Sequence, residues 1–316
     1  MRGLAPEESD VGILTRRRFL QVSSALGIGA GMGQGLVPCQ TAAAAAAAHE
    51  TKEQCMRLGM VTYNMGKDMD CPRLIAFCKE VGLEGVELRT THAHGVELEL
   101  SKAQRADVRK IFEDSGIAIA GLGSVYEYHS KDPQEVRRNV EGSKAYAQLA
   151  ADVGAPGIKV RPNRLFPDED PDVTCERIGR AMGEVAIFAA DLGVEVRMEV
   201  HGGGGSSDPA NIRKMILAAD HPNALVCWNS NTGEQDAQGS IKSNFDLLKE
   251  YISLVHITDI GIYQYPWQEL FDLLKSIDYR GFCLAEIQYN EQPERFMKYY
   301  RTLFDLYTGR YKYPQG

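Results

Sequence analysis

The chain has 316 residues, 44% hydrophobic and 25% charged, the balance of a folded globular protein with room for one large domain or two ordinary ones. Its formal net charge of −8 argues against a nucleic-acid partner, which would favour a basic surface stripe. The seven cysteines, at 39, 55, 71, 78, 175, 227 and 283, are odd in number and form no C-x-x-C pair, so buried free thiols are expected in place of a disulfide framework.

The first fifty residues read as an address. Thr15-Arg16-Arg17-Arg18-Phe19-Leu20-Gln21 resembles the twin-arginine export signal S/T-R-R-x-F-L-K, with only the last position altered. A weakly apolar, Gly-rich stretch from Val22 to Val37 follows, and the alanine run Ala42–Ala48 supplies A-x-A cleavage sites. A disordered tail with a chance arginine cluster is the plain alternative, and the ordered succession of charged, apolar and cleavage regions favours the signal. The alternating glycines at 27, 29, 31 and 33 do not make G-x-G-x-x-G and follow no strand, so they are no dinucleotide loop. Pro38 before Cys39 speaks against a lipoprotein anchor. Residues 1–50 are therefore expected to be a cleavable signal handled by the twin-arginine export machinery, with the mature protein periplasmic or extracellular. No other segment is long and apolar enough to span a bilayer, so no stable membrane insertion is expected after cleavage.

From Met56 onward short β-rich runs alternate with longer helical patterns. The runs are Leu58–Tyr63, Gly85–Leu88, Ile117–Gly121, Gly157–Val160, Val194–Met198, Ala224–Trp228, Ser253–Ile257 and Phe282–Ile287. They lie roughly 27 to 40 residues apart, as a (β/α)8 barrel of about 250 residues requires. Amphipathic segments such as Pro72–Val81, Lys102–Ser115, Asp132–Val153, Asp172–Leu192 and Asp208–Ala219 fall between them. Four of these run into glycine, at Gly82, Gly116, Gly154 and Gly193, where a helix stop belongs. A doubly wound open sheet is the structural rival, but it has fewer strands and a Gly-rich first turn, and here that turn reads Asn64-Met65-Gly66-Lys67. The expected architecture is a single α/β domain, a TIM barrel over residues 56–308, with a tail at 309–316.

Four polar residues close successive apolar runs: Glu199, Asn229, His256 and Glu286. The carboxyl ends of barrel strands are where such a fold builds its active site. Two carboxylates, an imidazole and an amide oxygen are also donors that suit one divalent cation. Along Val194–His201, alternation puts Glu195, Arg197, Glu199 and His201 on the inward face, with Glu195 and Arg197 deep enough to neutralise each other. Each residue has a bland reading as well. Glu199 is a partner for Arg197, Glu286 a member of an ordinary buried ion pair, and His256 a hydrogen-bonded core residue.

The order Glu, Asx, His, Glu over strands five to eight resembles the metal site of the xylose-isomerase-like sugar isomerase/epimerase family. Glu199-Val200-His201 matches its E-x-H wording after strand five, and His256-Ile257-Thr258-Asp259 its H-x-x-D after strand seven. Strand six departs: where the family reads W-D-x-x-H, this chain reads Trp228-Asn229-Ser230-Asn231-Thr232. An amide oxygen still coordinates, but the site then carries two formal negative charges in place of three. The resemblance implies one divalent ion (Mn2+, Mg2+, Co2+ or Zn2+) on Glu199, Asn229, His256 and Glu286. Glu199 and Glu286 would be the catalytic acid and base, and the substrate a small carbohydrate. Lys159 and Arg161 on strand four, His201 and Asp259 are the candidate substrate-binding residues, and Asp259 can instead orient the His256 ring. Tyr126, Tyr128 and His129 beyond strand three offer a sugar-stacking wall, and Gly202–Ser207 reads as a mobile loop beside the site.

Two carboxylates flanking a metal-bound hydroxy-ketone suit proton transfer through an enediolate. Return of the proton to the opposite face of the same carbon gives epimerisation, to the next carbon isomerisation, and loss of a β-hydroxyl a lyase or dehydratase. Asn229 and Thr232 also leave room for a non-catalytic sugar-binding barrel. A nuclease resembling the endonuclease IV branch would need many more histidine and aspartate ligands and a less acidic chain. The sequence is compatible with a monomer or a homo-oligomer. Export of a folded, metal-loaded enzyme is what twin-arginine transport accommodates. Changing Arg16 and Arg17 together to Lys is expected to strand the precursor in the cytoplasm, which cell fractionation would read directly; unimpaired export would remove the signal reading.

Overall fold

All eight β-rich runs form strands in the computed structural model, which describes residues 56–261 and 264–312. They are β1 (Arg57–Val61), β2 (Gly85–Arg89), β3 (Ala118–Glu127), β4 (Gly157–Arg161), β5 (Glu195–Glu199), β6 (Ala224–Asn229), β7 (Ile252–Ile257) and β8 (Phe282–Ala285). Each pairs in parallel with the next, and β8 returns to β1 with Arg57 opposite Phe282 and Met60 opposite Ala285, so the sheet closes on itself. The open doubly wound sheet is thereby excluded. The expected signal at residues 1–50 and the end of the 309–316 tail lie outside the described residues. No helix among the described residues is long and apolar enough to cross a membrane.

Among the described residues eight α-helices cover the sheet: α1 (Cys71–Val81), α2 (Lys102–Ser115), α3 (Pro133–Val153), α4 (Pro171–Ala190), α5 (Pro209–Ala219), α6 (Lys242–Leu248), α7 (Trp267–Ser276) and α8 (Pro293–Thr308). Their starts repeat one device. Asp132, Asp170 and Asp208 each precede a proline and cap a backbone N–H two residues on, so proline occupies the first turn, where its missing N–H costs nothing. Ser101 and Gln104 form a reciprocal capping box on α2. Gly82, Gly116 and Gly154 end α1, α2 and α3 in the left-handed region, as the glycine spacing predicts.

Alternation along the strands creates two cores. Outward residues such as Val194, Val196 and Met198 pack under the helices, while Val61, Ala120, Cys227, Leu254, Phe282 and Leu284 plug the barrel from within. The five described cysteines are buried and free, as expected. Where the chain comes full circle, Arg310 at the end of the last helix donates to the carbonyl of Met56 at 2.7 Å and pairs with Glu84 at 3.1 Å.

Several boundaries shift by a residue or two, and two of the differences from the sequence reading bear on the site. β3 runs ten residues to Glu127 in place of ending near Gly121. Gly121 and Gly123 weaken the strand pattern, yet they sit inside it because the inward side chains of Arg197 on β5 and Glu87 on β2 need the space. β8 stops at Ala285, leaving Glu286 just past the strand, with its N–H still donating to Ile257.

Helices α4 and α5 approach so closely that a Cβ on Gly179 or Gly183 would lie 2.3 Å from the carbonyl oxygen of Met215 or Ala219. In an open helix Gly→Ala gains up to about 1 kcal/mol. Overpacking costs about 1–3 kcal/mol, and rigid backbone on the far side puts this site at the upper end. Gly183→Ala is therefore expected to lower stability by about 1–2 kcal/mol net. A denaturant melt that shows a gain would contradict the close approach.

Candidate functional site

Strands β5 and β6 end in Glu199 and Asn229, His256 is the last residue but one of β7, and Glu286 follows β8 directly. All four meet at the carboxyl end of the barrel. Nδ1 of His256 lies 3.3 Å from Oε1 of Glu199 and 3.4 Å from Oε2 of Glu286, close to both carboxylates yet in hydrogen-bond geometry with neither. The Asn229 amide donates to Oε1 of Glu199 at 3.4 Å, and its own oxygen is buried without a partner. One atom each from Glu199, His256 and Glu286 lies within 4.8 Å of the others. His256 and Glu199 are 0% and 2% exposed, whereas the Glu286 side chain is 23% exposed, so the cluster opens to solvent on the Glu286 side.

Deeper in the barrel Arg197 pairs with Glu195 at 3.0 Å and donates to the Ala120 carbonyl, as the alternation predicts. Arg197 is therefore not the counter-ion of Glu199. That role falls to Lys159, whose ammonium donates to Oε2 of Glu199 at 2.8 Å with both groups buried. Burial opposes charge on each. The Lys159 ammonium and then His256 outweigh it at Glu199, holding its carboxyl far below the usual carboxylate range. The Glu199, Glu87 and Glu286 carboxylates outweigh it at Lys159, whose proton is held more tightly than in water.

The remaining candidates are placed as follows. The Arg161 guanidinium donates to Glu127 at 2.7 Å on the rim, and His201 is exposed there. Asp259 is 6% exposed with Oδ1 unpartnered, and burial raises its carboxyl pKa. The carboxylate against the His256 ring is not Asp259 but Glu87 of β2, at 3.3 Å from Nε2. Glu87 escapes the sequence reading because it stands in mid-strand and its partner is 169 residues away. Its signal is the one that marks Glu286, a lone carboxylate in an apolar run. Tyr128 is fully buried with its hydroxyl on Ser143, so it cannot belong to an open stacking wall. The glycine loop is pinned rather than free: Gly203 exchanges backbone bonds with Asn163 and Leu165, and Ser206 donates to the Asn163 and His201 carbonyls.

These donors fit a divalent cation. The unpartnered Asn229 oxygen and His256 nitrogen are buried beside two carboxylates, an oxygen-rich set with one imidazole. Lys159 is the feature that such a set does not require, and it leaves Glu199 only one oxygen to offer.

The sequence matches the family described as Xylose isomerase-like TIM barrel over residues 75–302. Among curated proteins none matches it. Among solved structures, a 3-keto-D-glucoside 4-epimerase from E. coli is similar with a TM-score of 0.65 at 16% identity, over 78% of this chain and 99% of that one. A D-psicose 3-epimerase with D-tagatose, from Clostridium cellulolyticum H10, gives 0.68 at 15% over 80% and 99%. The IOLI protein with a binding zinc atom gives 0.67 at 14% over 81% and 99%. At these identities the likeness is one of fold.

Removing one member of a buried ion pair costs about 3–5 kcal/mol, because the other charge stays buried. Lys159→Met is expected to destabilise the cation-free protein by that order at neutral pH. A carboxyl whose folded pKa is depressed contributes stability above its unfolded value, near 4.3, and loses it as pH falls. The penalty of the variant should accordingly be full at neutral pH and shrink progressively as pH falls below about 4.3 toward the depressed folded value of Glu199, where the wild-type carboxylate takes up a proton. Urea melts at pH 7 and at about pH 3 check this; equal penalties at both would deny the pair its electrostatic role.

Proposed function

The chain belongs to the xylose isomerase-like TIM barrel family, and from that premise we propose that it is a divalent-metal-dependent isomerase or epimerase of a sugar or keto-sugar. The observation that carries this reading is the convergence of Glu199, His256 and Glu286 at the open end of the barrel, with the Asn229 oxygen buried and unpartnered among them. Glu199, Asn229, His256 and Glu286 would hold the ion. When bound, such an ion polarises a substrate carbonyl and so acidifies the neighbouring C–H. The ion is of the Mn2+, Mg2+, Co2+ or Zn2+ class.

The chain's own residues then divide the proton work. Glu199 and Glu286 approach His256 from β5 and from the end of β8, so a flat hydroxy-ketone between them would meet one carboxylate on each face. Glu286, open to solvent and without a lysine on it, is placed to take the proton from carbon. Glu199, on the other side, is placed to return one to the opposite face; the proton would come through its carboxylate from the Lys159 ammonium that donates to it, and would be made good from the one that Glu286 releases to solvent. Arg161, His201 and Asp259 stand around the mouth as the groups that would hold substrate hydroxyls. Fold neighbours that act on keto-sugars support the substrate class. The run Thr15–Gln21 supports export by the twin-arginine machinery, and so a periplasmic or extracellular site of action.

The test is proton exchange. With Mn2+ and a panel of keto-sugars in D2O, the protein is expected to introduce deuterium at the carbon beside the carbonyl, and a chelator to stop it. Glu199→Gln and Glu286→Gln should each slow exchange by at least about a hundredfold. A variant that exchanges at the wild-type rate with metal bound is not an acid or base. A deoxy product would move the reaction to the lyase class, and sugar binding without exchange would make the barrel a binder.

A further inference from the structure

Glu87 has no task in the reaction just described, yet the barrel goes to some length to accommodate it. It lies inside β2, 0% exposed, and a buried carboxylate is costly unless something nearby needs it. Its Oε2 is 3.3 Å from Nε2 of His256, and its Oε1 has no hydrogen-bond partner. Strand β3 leaves space for it: a Cβ on Gly123 would stand 2.7 Å from Oε1 of Glu87. A glycine is thus kept within a strand, and beside it a carboxylate whose hydrogen bond falls on the back of the His256 ring.

A neutral imidazole keeps one N–H and presents one lone pair, and a carboxylate only accepts. The Glu87 contact at Nε2 has hydrogen-bond geometry and the carboxylate contacts at Nδ1 do not, which assigns the N–H to Nε2 and the lone pair to Nδ1. Nδ1 is the nitrogen between Glu199 and Glu286, at 3.3 and 3.4 Å. We propose that Glu87 is a positioning residue for His256, fixing the ring's tautomer and rotation so that Nδ1 joins Glu199, Asn229 and Glu286 in holding a divalent cation. The proposal rests on the metal-dependent reading above. It also accounts for Asn229. The negative charge absent at the end of β6 is present one layer down, on Glu87. Three carboxylates (Glu87, Glu199 and Glu286) against the Lys159 ammonium leave two negative charges, which one divalent ion cancels beside a neutral His256. A carboxylate behind a ligating histidine also raises its basicity, and loss of such a partner weakens metal binding by about 10- to 100-fold.

The experiment titrates wild type and Glu87→Gln with Mn2+ alone by calorimetry, each variant first shown to be folded by thermal melting. Wild type is expected to bind one ion per chain, and Glu87→Gln to bind about 10- to 100-fold more weakly. In the Zn2+-loaded protein labelled with 15N-histidine, His256 is expected to show a coordinated Nδ1 and a strongly hydrogen-bonded Nε2–H. That proton should move upfield in Glu87→Gln, a change that loss of packing alone does not produce. Gly123→Ala, which crowds Glu87 without altering its charge, should weaken binding in the same direction. Should Glu87→Gln fail to fold, Gly123→Ala and the wild-type His256 spectrum decide: unchanged affinity, or a proton on Nδ1, overturns the proposal. Equal affinities in wild type and Glu87→Gln overturn it while leaving the metal reading in place. A wild type that binds no Mn2+ overturns the metal reading and this proposal together.

Discussion

The 2.8 Å contact between Lys159 and Glu199 puts a full pair of charges inside a parallel barrel whose other inward residues are largely apolar. Neither charge is tolerable there alone. The same rule repeats at each depth. Arg197 answers Glu195 below, and His256 answers Glu87 across the lumen. Lys159 and His256 find their partners on other strands, so those charges are matched only in the closed barrel, whereas Arg197 and Glu195 share β5. The site's order is a consequence of that matching: each side chain is held by the group that makes its burial affordable, and its free atoms point to the one place left.

The two catalytic candidates differ in how they are held. Glu199 has one oxygen committed to Lys159 and the other facing His256 and Asn229. Glu286 stands past the end of β8, fastened through its backbone N–H while its carboxylate reaches the open side. A pinned carboxylate suits fixed geometry, and a more exposed one suits proton exchange with substrate and solvent. Chemistry that differs between two faces of one carbon has use for that inequality.

The barrel was legible in the sequence because its units repeat: a helix, a glycine stop, an apolar strand. The site was legible where a polar residue ended an apolar run, as Glu199, Asn229 and His256 do. What escaped were relations between strands. Nothing near Lys159 in the chain says that its ammonium will lie on Glu199, 40 residues on. Glu87 is a lone carboxylate in Gly85-Val86-Glu87-Leu88, and only barrel closure turns it toward His256. The length of β3 was hidden for a related reason. Gly121 and Gly123 look like strand breakers until Arg197 and Glu87 are seen to fill the space they leave. Tyr128 misled in the opposite sense, since an aromatic beyond a strand end turned back to bury its hydroxyl on Ser143.

The seam between β1 and β8 is built from the same parallel ladder as the other seven, and Arg310 ties the close of the last helix to Met56 at its start. In a ring, the place where the polymer begins is arbitrary. A barrel opened in one of the loops away from the mouth, with residues 56 and 310 joined by a linker, would draw the same circle from another starting point. Glu199, Asn229, His256 and Glu286 would then occur in a different order along the sequence while facing the same point in space. The motif by which the family is read is, in that sense, a property of the cut and not of the site.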